Sequence, residues 1–395
     1  MRVVHVISSI DPRKGGPVLA LEGLTRAQRK LGIDVSIVAT FAAGNPANAD
    51  VFHQDDIPVT LIGPTWGKLG FSSGMEQALR SAVGAADIVH IHAIWEEVQH
   101  RAARQALALG KPYILRPCGM LDPWSLAQHR WMKRLVWMLR VRFDATHATA
   151  LHATSEMEAD NLRQLLLNVP VIVEPNGVRL SEFESLPPPG WLAQRVPALN
   201  NRRAILFLGR IHVHKGLDLL VPAFAEISRD FPDVDLVIAG PNNDGYLPQV
   251  QQMIRERGLT ERVHLLGMLR GLERVAALHD AELFVLPSGH ENFGISVVEA
   301  MAAETPVIVS NEVALHAEVT RSGAGEAVPR DVGPLADAMR RWLNNPTGSI
   351  EAGRRGRRTV MQRYAWDRIA GRWRDRYQRI LSSVEATSDP VLDVQ

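Results

Sequence analysis

The stretch "GHENFGISVVEA", residues 289–300, carries two glutamates, Glu291 and Glu299, with seven residues between them and a Phe-Gly pair in the gap. On one continuous helix, eight steps of about 100° would leave the two carboxylates roughly 80° apart. Carboxylates so placed can accept hydrogen bonds from ligand hydroxyls, but each must first be set against a local reading. Glu299 closes an S-x-x-E pattern that begins at Ser296, the signature of a helix capping box. Glu291 precedes that helix and follows the apolar run "ELFVLPS", where no capping role accounts for it. Gly294 would let backbone amides at the helix start face a phosphate or hydroxyl. No aspartate or further glutamate joins the pair, so it does not read as a metal site.

A second constellation lies upstream in "LGRIHVHKGLDLL". Arg210 follows a buried-strand pattern, and Lys215-Gly216 opens a helix. Two cations at the carboxyl end of a strand, beside a helix N-terminus, form a clamp for a diphosphate; as solvated loop charges they would need no ligand. Near the start, Gly15-Gly16-Pro17 joins a strand to a helix. Adjacent glycines let amides approach an anion, while a proline at the first helical position equally makes a plain tight turn. Neither G-x-G-x-x-G nor the P-loop Lys-Ser/Thr is completed there. His92 ends the buried run "DIVHIH", facing a ligand or satisfied structurally.

Residues from His129, "HRWMKRLVWMLRVRFD", interleave Trp131, Met132, Leu135, Trp137 and Leu139 with Arg130, Lys133, Arg134, Arg140 and Arg142. A basic helix with tryptophan on its apolar side suits an anionic membrane surface. An ordinary domain helix, its stripe packed inward and its cations snorkelling, has the same pattern.

These residues need a scaffold, and the chain supplies short apolar runs separated by amphipathic stretches. In the first half they are "RVVHVISS", "DVSIVAT", "VTLIG", "DIVHIHA", "YILRP", "ALHATS" and "VIVEPNG"; in the second, "AILFLGR", "DLVIAGP", "RVHLLGM", "LFVLPSG" and "PVIVS". Runs without alternation suit strands buried on both faces of a parallel sheet. The stretches between them complete βαβ units. "LPPPG" can continue neither helix nor sheet, so two Rossmann-like domains are expected, at 1–183 and 201–360, joined by a linker at 184–200. After "PVIVS" the chain reads as helical, with a helix over 361–383 crossing back to the first domain and a polar tail at 384–395. Ligands of open α/β sheets sit beyond the carboxyl ends of the strands, which points to a cleft between two such domains.

Composition narrows the function. Lys+Arg 44 against Asp+Glu 43 leaves a formal charge of +1, so nothing global points to nucleic acid. The single cysteine, Cys118, excludes an internal disulfide and a cysteine zinc cluster, which fits a reducing compartment. The N-terminal apolar run is too short for a signal peptide, and no uninterrupted apolar run marks a membrane span. We expect a cytoplasmic protein, at the inner membrane face if residues 129–143 engage lipid.

Taken in order, "GGP", "DIVHIHAIW", "GMLDPWSL", "LHATSEMEADNLR", "VEPNGV", "LGRIHVHKGLDLL", "HENFGISVVEAMA" and "TPVIVS" resemble the retaining, nucleotide-sugar-dependent glycosyltransferases of the GT-B fold, family 4 in particular. The resemblance covers both halves. It implies that Arg210 and Lys215 hold the donor diphosphate, that Glu299 binds the ribose hydroxyls, and that Glu291 contacts the donor sugar. Backbone amides around Phe293, Gly294 and Ile295 would assist, the base would lie near Met268 and Leu269, and Gly15 and Gly16 would complete the donor site. Cys118, Gly119, Asp122, Trp124 and Asn176 fall on the acceptor side. No cofactor is implied beyond the nucleotide sugar, and no metal. The other partner is a carbohydrate or lipid-linked acceptor, the expected products being surface or extracellular polysaccharides.

Two positions depart from the family. Cys118 stands where relatives often carry the histidine of Pro-His-Gly, which brings His92 into consideration for catalysis. Glu304 stands where glycine is usual; it strains that turn if its backbone is left-handed, at some cost in stability. Two other functions fit parts of the pattern, a nucleotide-sugar epimerase of GT-B fold and a catalytically silent membrane-associated binding protein.

Overall fold

The computed structural model describes residues 1–11, 15–44, 50–128, 130–242 and 245–388, the side chains of 50, 51 and 385–388 excepted. His129, the first residue of the basic segment, lies outside them. The chain divides into two units, Met1–Gly177 with the segment from Trp366 onward, and Val178–Ala365.

The first unit holds a seven-stranded sheet: β1 (Arg2–Ile7), β2 (Asp34–Ala42), β3 (Val59–Thr65), β4 (Ile88–His92), β5 (Tyr113–Arg116), β6 (Ala150–Ala153) and β7 (Val171–Val173). Their order is β3-β2-β1-β4-β5-β6-β7, with every pairing parallel. The central strands bury nearly every residue because helices cover both faces. One face packs Val4, Val6, Val89, Ile91 and Leu115 against Leu79, Val98 and Ala102. The other packs Val3, Val35, Ile37 and Ile114 against Leu21 and Leu24 of the helix Gly16–Lys30 and against Ile369, Trp373 and Tyr377 of the helix Trp366–Ser388. That last helix is therefore core material of the first unit. Arg372 and Arg376 on it also pair with Glu174, at 2.6 and 3.3 Å.

The second unit holds β8 (Arg203–Leu208), β9 (Val234–Ala239), β10 (Val263–Gly267), β11 (Leu283–Leu286), β12 (Val307–Ser310) and β13 (Gly325–Val328), in the order β10-β9-β8-β11-β12-β13, again parallel. β13 corrects the expectation that only helices follow "PVIVS". The strand reads "GEAV" and is buried only at Val328, so it lacks the apolar run that marks its neighbours.

The expected linker is also corrected. Residues 178–200 belong to the second unit: the Val178 amide donates to Tyr364 O at 2.8 Å, and Phe183, Leu192 and Leu199 enter its core. "LPPPG" does interrupt regular structure, yet Asp280 then accepts from the amides of Gly190 and Leu192 at 2.9 and 2.7 Å and fixes the short helix Trp191–Arg195. Residues 361–363, assigned above to the final helix, instead end the helix Pro346–Arg363, and the final helix continues to Ser388.

Candidate active site

Two crossing turns at the carboxyl ends of β8 and β11 build the centre of the second unit's site. After β8 the chain passes Arg210 and makes a single 3-10 turn, Val213–Lys215. Gly216 then takes a left-handed φ of 76°, and a Cβ there would lie 2.0 Å from Pro287 O, so the position requires glycine on both counts. The turn is stitched to the other side by the Gly289 amide, which donates to His214 O at 2.7 Å. This contact carries Lys215 to Glu291, and Lys215 Nζ donates to Glu291 Oε2. Glu291 is fixed in turn: its amide donates to Glu312 O at 3.2 Å and its carbonyl accepts from Ala314 at 3.0 Å.

Basic groups gather around this pair, although Arg330 also meets Asp218 at 3.4 Å. Burial lowers the His214 imidazole below its ordinary value, and His212, His290, Arg330 and Arg210 lower it further. Arg330, which the sequence did not mark, lies over the Gly289 backbone, where a Cβ would meet its Nε at 2.8 Å. This concentration of positive charge at strand ends suits an oligovalent anion.

The helix Ile295–Ala302 begins at Gly294, whose φ of 88° is left-handed, and no side chain caps it. The expected capping box is thus absent: Ser296 lies inside the first turn, because Gly294 makes the entry that the box would have made. Glu299 is therefore left without a capping role. It is 7% exposed and pairs through Oε1 with Arg274 Nη1 at 3.1 Å. Burial pushes its carboxyl up to about 6, opposed by Arg274 and reinforced by Glu182. The Phe293 ring is buried edge-on against Tyr364, 6.0 Å between centroids, so only its backbone can serve a ligand. Ile295 is half-buried, Met268 is exposed just past β10, and Leu269 rests on the core.

The remaining candidates belong to the first unit. Gly15 caps the helix Gly16–Lys30 with φ 82° and has open space where a Cβ would stand. Ala93 and Cys118, just past β4 and β5, are both left-handed, with φ of 69° and 57°. Strained residues at neighbouring strand ends are a mark of functional loops. Glu158 clamps this region: one oxygen accepts from the Gly119 amide at 2.6 Å, the other from Thr154 N and Oγ1 at 2.7 and 2.8 Å. Asp122 is buried and accepts from Asn161 at 3.0 Å, and Trp124 is exposed. Asn176 accepts from Arg116 Nη2 at 2.6 Å. Burial raises the Cys118 thiol, which does not favour a thiolate.

His92 is wholly interior, contrary to the reading that faced it toward a ligand. It belongs to a chain of hydrogen bonds whose direction can be worked out. Gln28 Oε1 only accepts, so His5 Nε2, 2.8 Å away, carries the proton. Neutral His5 then accepts at Nδ1 from His92 Nε2 at 2.9 Å, which leaves His92 Nδ1 as an acceptor toward Arg116, 3.5 Å away. On the other side Gln28 donates to Tyr377 Oη at 3.2 Å, and Tyr377 donates to His90 Nδ1 at 2.7 Å. His90 donates to His152 at 3.2 Å, and His152 ends the chain on Glu174 O at 2.8 Å. All four rings are neutral, since burial holds His5 down at about 4 and the others well below the ordinary value. His5, His90 and His92 cluster closely enough to hold a metal ion. The hydrogen bonds already engage the facing nitrogens, however, and the Arg116 cation stands beside them.

In the basic segment, the helix Arg130–Val136 passes into a π-helical turn at Trp137–Val141. Trp131 is 81% and Leu139 69% exposed, with Met132, Leu135 and Met138 exposed beside them. Most of the stripe does not pack inward; Trp137 leans on the core beside Val136 and the buried Val141. Arg130, Arg134 and Arg142 are also exposed, whereas Lys133 turns back to Ser125 O at 2.5 Å and Arg140 pairs with Glu97. Among the described residues no helix is long and apolar enough to cross a membrane.

Comparison with known proteins finds matches in both halves. Residues 15–204 match the family described as glycosyl transferase 4-like domain, and residues 192–360 match glycosyl transferases group 1. The chain is 28% identical over 386 residues to the GDP-mannose:cellobiosyl-diphosphopolyprenol alpha-mannosyltransferase of Xanthomonas campestris, covering 97% of this chain and 98% of that one. The enzyme of the same description from Komagataeibacter xylinus is 26% identical, with 96% and 94% covered. Among solved structures, HepE of Anabaena in complex with UDP and glucose superposes with a TM-score of 0.77 at 19% identity, covering 96% and 99%. Sucrose-phosphate synthase of Thermosynechococcus elongatus gives 0.75 at 21% identity, covering 97% and 100%. With two parallel α/β sheets and matching families over residues 15–360, the chain belongs to the family 4 glycosyltransferases of the GT-B fold and is a nucleotide-sugar-dependent glycosyltransferase.

Proposed function

We propose that this enzyme transfers a hexose from a nucleoside diphosphate sugar to a lipid-linked saccharide, with retention of anomeric configuration, in the assembly of a surface or extracellular polysaccharide. The meeting of Lys215 and Glu291 among Arg210, His214, His290 and Arg330 carries this reading. In it Arg210 and Lys215 bind the diphosphate, Glu299 accepts from the ribose hydroxyls, and Glu291 contacts the sugar. Relatives matched over nearly their full length are described as using GDP-mannose and a diphosphopolyprenol acceptor, which makes these the first substrates to try.

The bond from the anomeric carbon to the diphosphate oxygen breaks, with its electron pair leaving on the diphosphate. The acceptor oxygen bonds to the same carbon on the same face, and its proton passes to the departing diphosphate. Lys215 and Arg210 stabilise the charge that builds there, which is where electrostatic help lowers a barrier most. That role needs no bound metal, so a chelator should leave turnover unchanged. His92 has no part as acid or base in this scheme; it lies inside the first unit, facing Arg116. The exposed stripe at Trp131, Leu135, Met138 and Leu139, flanked by Arg130 and Arg134, would rest on anionic lipid near the acceptor. Sedimentation with liposomes should increase with the anionic lipid fraction, and indifference to that fraction rules the contact out.

The reading is tested with a panel of nucleotide sugars. Release of the nucleoside diphosphate, with an acceptor product of unchanged anomeric configuration, is the expected result. A donor recovered as its epimer with the nucleotide still attached, or no donor consumed, overturns it.

A further inference from the structure

Glu299 does not stand alone with its cation. Arg179, Glu182, Arg274 and Glu299 form a row of alternating charge: Arg179 Nε lies 3.3 Å from Glu182, Arg274 Nη2 donates to Glu182 Oε2, and Arg274 Nη1 reaches Glu299 Oε1 at 3.1 Å. Three elements contribute. Glu182 ends the 3-10 turn Leu180–Glu182, Arg274 stands on the first turns of the helix Gly271–Asp280 just past β10, and Glu299 lies in the second turn of its helix. The Arg274 guanidinium is thus divided between two carboxylates, one nitrogen to each, and its Nε is buried without a partner. Among the described residues Glu299 is engaged through Oε1, which leaves Oε2 for a ligand.

We propose that Arg274 is a positioning residue of the nucleotide subsite, holding the Glu299 carboxylate as an oriented, paired anion, with Glu182 setting how much of that cation Glu299 receives. The proposal rests on the reading of Glu299 as the acceptor for the ribose diol. Two vicinal hydroxyls donate, and a carboxylate can take both, whereas a protonated carboxyl must spend one oxygen as a donor. Burial drives Glu299 toward that useless form, Arg274 opposes it, and Glu182 works with burial. The other charged groups around this helix are engaged at its far end: Arg357 on Ala302 O at 3.1 Å and with Glu304 at 3.6 Å, and His279 on Ala303 O at 3.0 Å. Arg274 and Glu182 are therefore the two groups that tune Glu299, in opposite directions.

The test titrates GDP and UDP into the full-length protein between pH 5.5 and 8.5, comparing it with Arg274→Met, Arg274→Lys and Glu182→Gln. The native protein should bind at least one nucleotide with constant affinity above about pH 7, falling off below about pH 6 by up to tenfold per pH unit for one proton. Arg274→Met should weaken binding at pH 7 by about tenfold or more and move the fall to higher pH. Arg274→Lys should recover part of the affinity, and Glu182→Gln should move the fall to lower pH. Native binding with a pH midpoint unmoved in both Arg274→Lys and Glu182→Gln overturns the inference while sparing the donor site. A native protein that binds neither nucleotide at any pH overturns the donor reading, and the inference with it.

Discussion

Lys215 and Glu291 lie far apart in the chain, and it is Gly216 that lets them meet, by allowing the turn to close on Pro287. A diphosphate that takes the Lys215 ammonium must compete with Glu291 for it. Replacing Glu291 with glutamine removes the competitor and the negative charge beside the phosphates, so nucleoside diphosphate should bind Glu291→Gln at least as tightly as the native enzyme. Sugar transfer should nevertheless fall by about 100-fold or more, the scale of losing a charged contact made at the reacting centre. Paired nucleotide titration and turnover measurements check this, and a parallel loss of both would show Glu291 to be a nucleotide ligand. Arg210, Lys215 and Glu291 stood out as candidates in the sequence because each lies between a buried strand and the helix that follows it. Arg274 and Glu182 were not, because charged residues are ordinarily solvated, and only folding brings positions 182, 274 and 299 into one row.

Among the elements, the strands declare themselves wherever both faces are buried, since burial leaves an unbroken apolar run. β13 escapes that rule, with Gly325 and Glu326 half-buried at the sheet edge. The segment 178–200 was misread for the opposite reason: its prolines speak loudly, whereas its anchors, Leu192, Leu199 and the amides held by Asp280, are scattered. The turn after the helix Ile295–Ala302 allows a direct trial. Glu304 is left-handed at φ 65°, where a side chain costs about 1 kcal/mol and glycine does not. Its 3.6 Å pair with Arg357 is half-exposed and returns little. Glu304→Gly should therefore melt about 2–4 °C higher with unchanged turnover, as differential scanning fluorimetry and an activity assay would show. An equal or lower melting temperature would mean the pair outweighs the strain.

Across the whole molecule, the least legible feature is the hydrogen-bond chain inside the first unit, from Arg116 through His92, His5, Gln28, Tyr377, His90 and His152 to Glu174. Its members come from β1 and from strands on one side of it, β4, β5 and β6, and from the first helix and the last, so no local pattern announces it. It has a consequence for stability. Each buried histidine has its folded value depressed, so the unfolded chain binds more protons below the ordinary value of about 6.5, and protonation then favours unfolding. Stability should hold steady above about pH 7 and decline from 6.5 downward, through about 4 for His5, by up to about 1.4 kcal/mol per pH unit for each histidine. Urea unfolding followed between pH 8 and 5 would reveal that slope, and a His5→Asn variant should flatten it even if it starts less stable. A native curve flat to pH 5 would contradict the chain of neutral rings.

The proposed transfer turns on a cation at the second unit's strand ends carrying the charge of a leaving diphosphate. The most direct measurement is steady-state turnover of Lys215→Ala on the donor sugar that the native enzyme consumes. A fall in kcat of about 100- to 1,000-fold, with the melting temperature essentially unchanged, is the predicted result. Near-native turnover in the folded variant would contradict it.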